Sequence, residues 1–267
     1  PAKIRIGGQN KDVLVFSGGY DPGSEGDAAS PITASSQGRA LFVADAATGA
    51  LLWWAGNNAA ATPDVVVPEM KYSIPASPRP VDLDGDGLVD RIYLADAGGQ
   101  VFRVVLEKDS SGFPSLSKAK VQRIAALAGT TARTARRFYA TPDIALITAN
   151  TTTPFIAVSL GSGFHEHPLG QVNEDRFYVL RDPDLGNEGV SNFFVNGDAD
   201  LYDATDNLAG STNATKARQA QIDISAKKGL YITLGGGTIT GEKVMSEATT
   251  FDNQVLFATY QPGVSAG

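Results

Sequence analysis

Cysteine is absent from this chain of 267 residues, and only two histidines are present. The absence of thiols excludes disulfides, thiolate zinc sites and a cysteine nucleophile. No apolar run approaches the length of about 18 residues that a membrane-spanning helix needs. No signal peptide opens the chain, and its first residues resemble the middle of a fold. We therefore expect a fragment of a longer protein, without a membrane span.

Basic residues are scarce relative to acidic ones. The 22 Lys and Arg residues stand against 29 Asp and Glu residues, which gives a formal net charge of −7. Phosphate binding needs clustered basic side chains, so nucleic acid is not an expected partner. An acidic surface suits a soluble domain or one that binds cations.

The abundant residues favour short β-strands joined by tight turns. Hydrophobic residues make up 42% of the chain, which also has 29 glycines and 14 prolines. Many short apolar runs are β-branched or aromatic, and several alternate with polar residues, as half-buried strands do. These runs are Val13–Phe16, Ala40–Val43, Leu51–Trp54, Arg91–Ala95, Val101–Leu106, Phe155–Leu160, Arg176–Leu180, Leu230–Leu234, Lys243–Met245 and Val255–Tyr260.

Two pairs of these runs predict hairpins of one design. LFVADAATGALLWW and RIYLADAGGQVFRVVLE each place an acidic, glycine-containing turn between two apolar segments. Repetition of such units is typical of propeller blades. We therefore predict an all-β chain in which residues 1–267 form one β-propeller-like domain. The polar stretch 196–226 is predicted to be a partly helical insertion on its rim.

The strongest local motif is VDLDGDGLVDR, in which four aspartates follow the pattern D-x-D-x-D-G-x-x-D. Positions 1, 3 and 5 are Asp82, Asp84 and Asp86, and they bring three carboxylates to one point. The glycine at position 6 permits the chain to turn around an ion. Leu88 at position 7 would offer its backbone carbonyl, and Asp90 at position 9 would close the shell. These five residues predict a calcium site.

Electrostatics favours a bound ion in this loop. Carboxylates a few ångströms apart repel each other by about 1 kcal/mol per pair even at the dielectric constant of water. Calcium is favoured over magnesium because the ligands are all oxygens on a flexible loop. Zinc is disfavoured because no His or Cys is adjacent. The alternative is a solvated acidic turn without an ion.

Other polar groups carry weaker signals, and no catalytic constellation is predicted. His165 and His167 lack an identifiable third metal ligand, so hydrogen-bonded turn histidines are favoured. Ser162 lies in GSG without the G-x-S-x-G motif of a nucleophile elbow. Solvated side chains are expected for three further groups: Asp198, Asp200, Asp203 and Asp206; Asp21, Glu25 and Asp27; and Arg133, Arg136 and Arg137.

An ordered set of segments resembles the PilC/PilY family of type IV pilus tip-associated proteins. MKYSIPASPRPVDLDGDGLVDRIYLADAGGQVFRV is similar to the family's calcium-loop blade, and LFVADAATGALLWW to the blade before it. RRFYATPDIAL, FIAVSLGSGFHEHPLG and EDRFYVLRD follow in the family's order, and KGLYITLGGG and GEKVMSEATTFDNQVLFATYQP come after them. The resemblance spans nearly the whole chain. Its specificity lies in the ordered set, because a calcium loop alone occurs in many families.

The resemblance implies a modified, quinoprotein-like β-propeller that forms the C-terminal part of a larger secreted protein. Such proteins act in pilus biogenesis, twitching motility, adhesion and virulence, and their calcium loop is linked to the balance of pilus extension and retraction. By position, the family's calcium ligands fall on Asp82, Asp84, Asp86, Leu88 and Asp90. The implied partners are pilins or minor pilins and a surface or host-cell receptor. The implied location is the bacterial cell surface or fimbrium, the periplasm or the outer membrane.

Two other functions remain open beside a non-enzymatic, calcium-dependent adhesion and pilus biogenesis domain. The stretch D-x-x-T-G-x-x-x-W, from Asp45 to Trp53, resembles the blade motif of quinoprotein dehydrogenases. Blade motifs stabilise a propeller and do not carry out redox chemistry, so this alternative is weaker. An integrin-like propeller would hold calcium in several blades, whereas the sequence has one D-x-D-x-D-G loop and no Arg-Gly-Asp motif.

Overall fold

A computed structural model describes residues 2–23, 30–31, 33–148, 153–186, 192–252 and 254–263. Strands dominate, and one α-helix is present in the described part of the chain. The strands are β1 (Ala2–Ile6), β2 (Gln9–Ser17), β3 (Ala40–Asp45), β4 (Leu51–Gly56), β5 (Val65–Val66), β6 (Arg79–Val81), β7 (Arg91–Ala95), β8 (Gln100–Lys108), β9 (Pro114–Ala126), β10 (Asp143–Ile147), β11 (Phe155–Gly161), β12 (Arg176–Asp182), β13 (Val195–Asn196), β14 (Tyr202–Asp203), β15 (Gly229–Thr233), β16 (Lys243–Val244), β17 (Thr249–Phe251), β18 (Gln254–Leu256) and β19 (Thr259–Tyr260). The helix is α1 (Ala214–Ser225), between β14 and β15.

The strands form three five-stranded sheets and two two-stranded ladders. Sheet A has the order β1-β2-β3-β4-β5, sheet B the order β13-β9-β8-β7-β6, and sheet C the order β10-β11-β12-β15-β14. The short edge strands β5, β13 and β14 pair in parallel, and the other neighbours in the three sheets are antiparallel. Both predicted hairpins are confirmed, as β3–β4 and β7–β8.

The three sheets pack face to face, with sheet B in the middle. Side chains of β7 alternate between the two sides of the sheet. Ile92 and Leu94 belong to the core shared with sheet A, and Tyr93 and Ala95 to the core shared with sheet C. Every residue of β7 is buried. A strand covered on both faces is apolar on both faces, which explains the nearly continuous hydrophobic run of this segment.

The outer sheets differ in how their second face is covered. On sheet C, Phe177 packs against Val244 and Ala248 of the C-terminal segment, and its ring lies 3.9 Å from that of Phe257. On sheet A, the rings of Phe16, Phe42 and Trp54 stack across three strands, and Phe16 is 45% exposed. The described sheets form an open row, so the all-β class is confirmed and the closed propeller stays a prediction.

The polar stretch 196–226 is partly helical, as predicted. α1 begins after Asn213, whose side-chain oxygen accepts hydrogen bonds from the N–H groups of Thr215 and Lys216. The stretch also contains β14, which pairs with β15 at the edge of sheet C. It is therefore built into that sheet in part. No described helix combines the length and the apolar composition that a membrane crossing requires.

Candidate metal centre

The predicted calcium loop connects β6 to β7 at the edge of sheet B. These strands pair antiparallel, with Arg79 opposite Tyr93 and Val81 opposite Arg91. A hydrogen bond of 2.9 Å from the N–H of Asp90 to the carbonyl of Val81 closes the base of the loop. Because β6 is the outermost strand of its sheet, the state of the loop bears directly on a sheet edge.

Three carboxylates converge in this loop. Asp82, Asp84 and Asp86 each offer one oxygen, and these oxygens all lie within 4.8 Å of one another. Calcium binds its oxygen ligands at about 2.3–2.6 Å, so two ligands on opposite sides of one ion lie up to about 5 Å apart. The three side chains are exposed, and among the described residues they are the one group of this kind. Both the spacing and the all-oxygen donor set fit calcium.

Backbone N–H groups of the loop hold these carboxylates in place. The two oxygens of Asp82 accept hydrogen bonds from Gly85 at 2.7 Å and Gly87 at 2.8 Å. Asp86 accepts one from Leu88 at 2.8 Å. Gly85 and Gly87 have φ values of 78° and 87°, where an L side chain costs about 1–2 kcal/mol. The two glycines therefore allow the tight path that brings the carboxylates together.

Asp90 is held in a different way from the other three aspartates. It is fully buried, and its Oδ2 accepts a hydrogen bond of 2.6 Å from the N–H of Leu83. It is not a member of the converging group. To coordinate the same ion, the Asp90 carboxylate would have to give up its hydrogen bond from Leu83, or bind the ion while one of its oxygens still accepts that hydrogen bond. Ligation by Asp90 and by the carbonyl of Leu88 therefore stays a prediction.

A cavity of about 250 Å³ adjoins the loop on the side of sheet C. The loop contributes Leu83, Asp84 and Asp90 to its wall. The other lining residues come from the end of β8, from β10 and from the segment after β12: Lys108, Leu146, Leu185 and Gly186. The candidate metal centre thus borders sheet C as well as sheet B.

A buried ion network beside the loop was missed by sequence reasoning. Arg103 of β8 pairs with Asp182 at the end of β12 at 2.7 Å and with Asp184 at 2.9 Å. The hydroxyl of Tyr93 donates to Asp182 at 2.8 Å, and Arg91 pairs with Asp184 at 3.4 Å. Arg103 interrupts an otherwise apolar strand and Arg91 begins another, and this was the signal available in the sequence.

The two histidines make structural contacts in a turn, in line with the favoured interpretation. His165 Nε2 lies 3.2 Å from the carbonyl of Val244, and the ring stacks on Tyr139 with centroids 4.8 Å apart. The ring of His167 lies 4.7 Å from that of Phe164. Burial lowers the pKa of His165, which favours its neutral form.

The acidic residues of the 198–206 stretch have separate protein partners. Asp198 pairs with Arg176 at 2.5 Å, and Asp200 with Lys228 at 3.0 Å. Asp203 accepts a hydrogen bond from the hydroxyl of Tyr231 at 3.1 Å. Asp198 and Asp203 are exposed, as predicted, and Asp200 is half-buried, so the correction is that each of the three also has a protein partner. The charges of Asp198 and Asp200 are paired with basic side chains, which gives no support to a second cation site.

The prediction of a solvated basic patch at residues 133–137 is wrong for two of its three members. Arg136 and Arg137 are buried. Arg136 Nε donates to the hydroxyl of Tyr178 at 3.1 Å, and the guanidinium of Arg137 lies 4.1 Å from the ring centre of Phe164. Stacking of the planar guanidinium on an aromatic face permits the burial of Arg137. Hydrogen bonds to the hydroxyl of Tyr178 and to the carbonyl of Arg133 permit that of Arg136.

Two further sequence candidates also have structural roles. Asp21 is buried, and its Oδ2 accepts hydrogen bonds from the N–H of Ser36 at 2.6 Å and of Gln37 at 3.3 Å. Its predicted solvation is therefore wrong, whereas Glu25 and Asp27 lie outside the described residues. Ser162 is buried and donates to Asp175 at 2.7 Å. Burial raises the pKa of Asp175, and the bond joins β11 to the start of β12.

No family model and no curated protein matches the chain. Among solved structures, the crystal structure of the Pseudomonas aeruginosa PilY1 C-terminal domain is similar, with a TM-score of 0.60 and 19% sequence identity. The match covers 84% of this chain and 50% of that chain, so this chain spans about half the length of the solved domain. At this identity the likeness concerns the fold. The chain therefore shares the fold of the matched half of the PilY1 C-terminal domain, which confirms at the level of the fold the resemblance to the PilC/PilY family.

Proposed function

We propose that this chain is a calcium-binding, non-enzymatic domain of a type IV pilus biogenesis and adhesion protein, located outside the cytoplasm. The observation that carries the proposal is the convergence of Asp82, Asp84 and Asp86 within 4.8 Å on a fold like that of the PilY1 C-terminal domain. The converging carboxylates alone are weaker evidence, because exposed acidic turns are common. The likeness of the fold alone is also weaker, because one fold hosts many functions.

The architecture supports a modified β-propeller. Apart from the two-residue strand β13, the strands of sheets A, B and C follow one another in the chain, and the sheets pack face to face through two cores. Successive propeller blades pack in this way. In this interpretation the three sheets are blades, and the calcium loop joins the outermost strand of the middle blade to its neighbour.

Calcium would supply positive charge at the point where three carboxylates meet. Their mutual repulsion is about 1 kcal/mol per pair at the dielectric constant of water, so the ion-free loop is expected to be less ordered. Asp82, Asp84 and Asp86 would bind the ion, and Gly85 and Gly87 fix the path of the loop. Order at the β6 edge of sheet B is the property that pilins, minor pilins or a surface receptor would sense, and through which calcium would regulate pilus extension and retraction.

The non-enzymatic assignment is supported by the structural roles of Asp45 and Ser162, the residues that could have indicated an enzyme. In the motif of quinoprotein blades, Asp45 accepts hydrogen bonds from the N–H groups of Ala47 and Thr48 and so stabilises a turn. Ser162 is committed to Asp175. An integrin-like propeller with calcium in several blades is disfavoured, since the described residues hold one converging acidic group.

A calorimetric titration with calcium, set beside magnesium, tests the metal site. The wild-type chain is compared with the triple variant Asp82→Asn, Asp84→Asn and Asp86→Asn. A matched control changes three exposed aspartates elsewhere to asparagine: Asp206, Asp223 and Asp252. Calcium heat that persists in the loop variant would contradict the site.

The pilus role is tested in the bacterium that carries the gene. Deletion is expected to reduce surface pili and twitching, and the control triple variant should restore both. The loop variant should restore neither fully, or should shift their balance. Unchanged pili and twitching after deletion would reject the pilus assignment and leave the calcium site as a separate question.

A further inference from the structure

The first residue of β7 links the calcium loop to sheet C. Arg91 follows Asp90 directly in the chain and is fully buried. Its Nη2 donates hydrogen bonds to Asp184 Oδ1 at 3.4 Å and to the carbonyl of Gly186. Both acceptors lie just beyond the end of β12. The side chain therefore crosses from the loop's own hairpin to the neighbouring sheet.

Asp184 is shared between two arginines of sheet B. Its second oxygen lies 2.9 Å from Arg103 Nη2, while Arg103 Nη1 pairs with Asp182. The contacts of Arg91 are thus one part of a buried network that fixes residues 182–184 relative to β7 and β8. Charges in such a network depend strongly on one another, because little water is present to screen them.

Not all hydrogen-bond donors of the Arg91 guanidinium have a partner among the described residues. Its Nε and Nη1 are buried and lack a hydrogen-bond partner among the described residues. Buried donors of a charged group are costly to leave unpaired. The position of this guanidinium is therefore sensitive to small changes in the backbone that carries it.

The loop controls that backbone through Asp90. The N–H of Asp90 donates to Val81, and its carbonyl accepts from Leu106, each at 2.9 Å. Its carboxylate holds the N–H of Leu83 at 2.6 Å. Any ion that draws the Asp90 carboxylate or reorders residues 82–86 acts on the residue that precedes Arg91. The cavity lined by Asp84 and Asp90 on one side and by Gly186 on the other shows that the two segments are neighbours.

We propose that Arg91 is a positioning residue that couples cation binding in the loop to the order of residues 182–186 on sheet C. The inference rests on the proposed calcium binding. With the ion bound, the loop holds Asp90 in one place, and the contacts of Arg91 with Asp184 and Gly186 are made in full. Without it, the contacts loosen and residues 182–186 exchange among several positions. Since coupling between sites is reciprocal, loss of the Arg91–Asp184 contact also weakens calcium binding, by about 5-fold or more.

Hydrogen exchange of the whole 267-residue chain, with and without saturating calcium, tests this coupling. In the wild type, calcium is expected to slow exchange in peptides that cover 82–90 and in peptides that cover 182–186. In the near-isosteric variant Asp184→Asn, calcium should still slow the loop but should no longer slow 182–186. In Arg91→Lys, calcium should likewise slow exchange in the loop but not in 182–186. Lysine keeps the positive charge but lacks the planar guanidinium, which contacts Asp184 and Gly186 together.

Arg79→Gln is the matched control. This arginine lies on the other strand of the same hairpin, and its guanidinium contacts the carbonyl of Pro142 and the exposed side chain of Glu247. The control should keep the calcium response of both segments and the wild-type calcium affinity. A response of both segments in Asp184→Asn equal to that of the wild type would overturn the role of Arg91.

The experiment separates this inference from the proposed function. If calcium slows exchange in the loop of the wild type but not in 182–186, the coupling is rejected and the calcium site stands. If neither segment responds, calcium binding itself is rejected. The wild-type result decides between these outcomes even where a substitution at Arg91 prevents folding.

Discussion

Arg103 of sheet B and Asp182 of sheet C form an ion pair that is fully buried between the two sheets. The guanidinium Nη1 lies 2.7 and 2.8 Å from the two carboxylate oxygens. Tyr93, from the strand beside Arg103, donates its hydroxyl to the same carboxylate. Three groups from three strands thus contact one another in a space that apolar residues otherwise fill.

Substitution of one partner of this pair is expected to be costly. Asp182→Asn leaves the charge of Arg103 without its main partner in a buried site, which typically lowers the free energy of unfolding by about 3–5 kcal/mol. Urea denaturation measures the loss. The surface pair Lys11–Asp45, at 3.1 Å, is the control, and Lys11→Gln should cost about 0–1 kcal/mol. Equal losses in the two variants would show that the buried pair does not join the sheets.

Calcium is expected to stabilise the domain against unfolding. At a free concentration 100 times the dissociation constant, the gain is about 2.7 kcal/mol. Asp90→Ala should abolish this gain and should also lower stability without calcium, because the N–H of Leu83 loses its acceptor. Asp84→Asn should reduce the gain with little effect on the calcium-free domain, since Asp84 is exposed. Thermal denaturation with and without calcium distinguishes these patterns, and a full calcium response in Asp90→Ala would exclude that residue as a ligand.

Asp96 is expected to make stability depend on pH near neutrality. Burial raises its pKa to about 7, although hydrogen bonds from Gln100 and Gly98 oppose the shift. The folded-state pKa is above the unfolded value of about 3.9. The stabilising contribution is therefore complete below about pH 4 and is lost as the pH rises through about 7.

The variant Asp96→Asn isolates this contribution. The difference in unfolding free energy between wild type and variant should change steadily between pH 5 and pH 7 and level off above that, in favour of the wild type at the acidic end. Urea denaturation at each pH provides the measurement. A difference that stays constant over this interval would show that the folded-state pKa of Asp96 is not raised into this interval or above it.

The two hairpin turns of similar sequence provide a matched pair of glycines. Gly49 and Gly99 have φ values of 73° and 78°. A Cβ at Gly49 meets nothing within 4 Å, whereas one at Gly99 would lie 2.6 Å from the Cβ of Ala128 and 2.8 Å from the carbonyl oxygen of Arg136. Gly49→Ala should cost about 1–2 kcal/mol through backbone strain.

Gly99→Ala should add about 1–3 kcal/mol of steric overlap to that strain. Chemical denaturation of both variants gives the two losses directly. Similar losses would mean that the segment around Ala128 moves aside without cost, and that the packing of the β7–β8 turn is looser than the structure indicates.

Local patterns were sufficient for local structure. Alternation and turn residues predicted the hairpins β3–β4 and β7–β8, and the spacing of acidic residues predicted which carboxylates converge. The prediction was less complete at Asp90, because its burial depends on strands far away in the chain. It failed at Arg136 and Arg137, since a cluster of arginines in a sequence does not reveal that aromatic rings from other segments cover it.

By itself, the sequence determined the all-β class and the convergence of Asp82, Asp84 and Asp86, because turn geometry and carboxylate spacing act over a few residues. Only the tertiary structure decided that sheet B lies between sheets A and C, and that Arg91 and Arg103 reach Asp184 and Asp182. These contacts join residues about 80 to 90 positions apart, and charges so distant in the chain become neighbours only when burial of both faces of sheet B brings the sheets together.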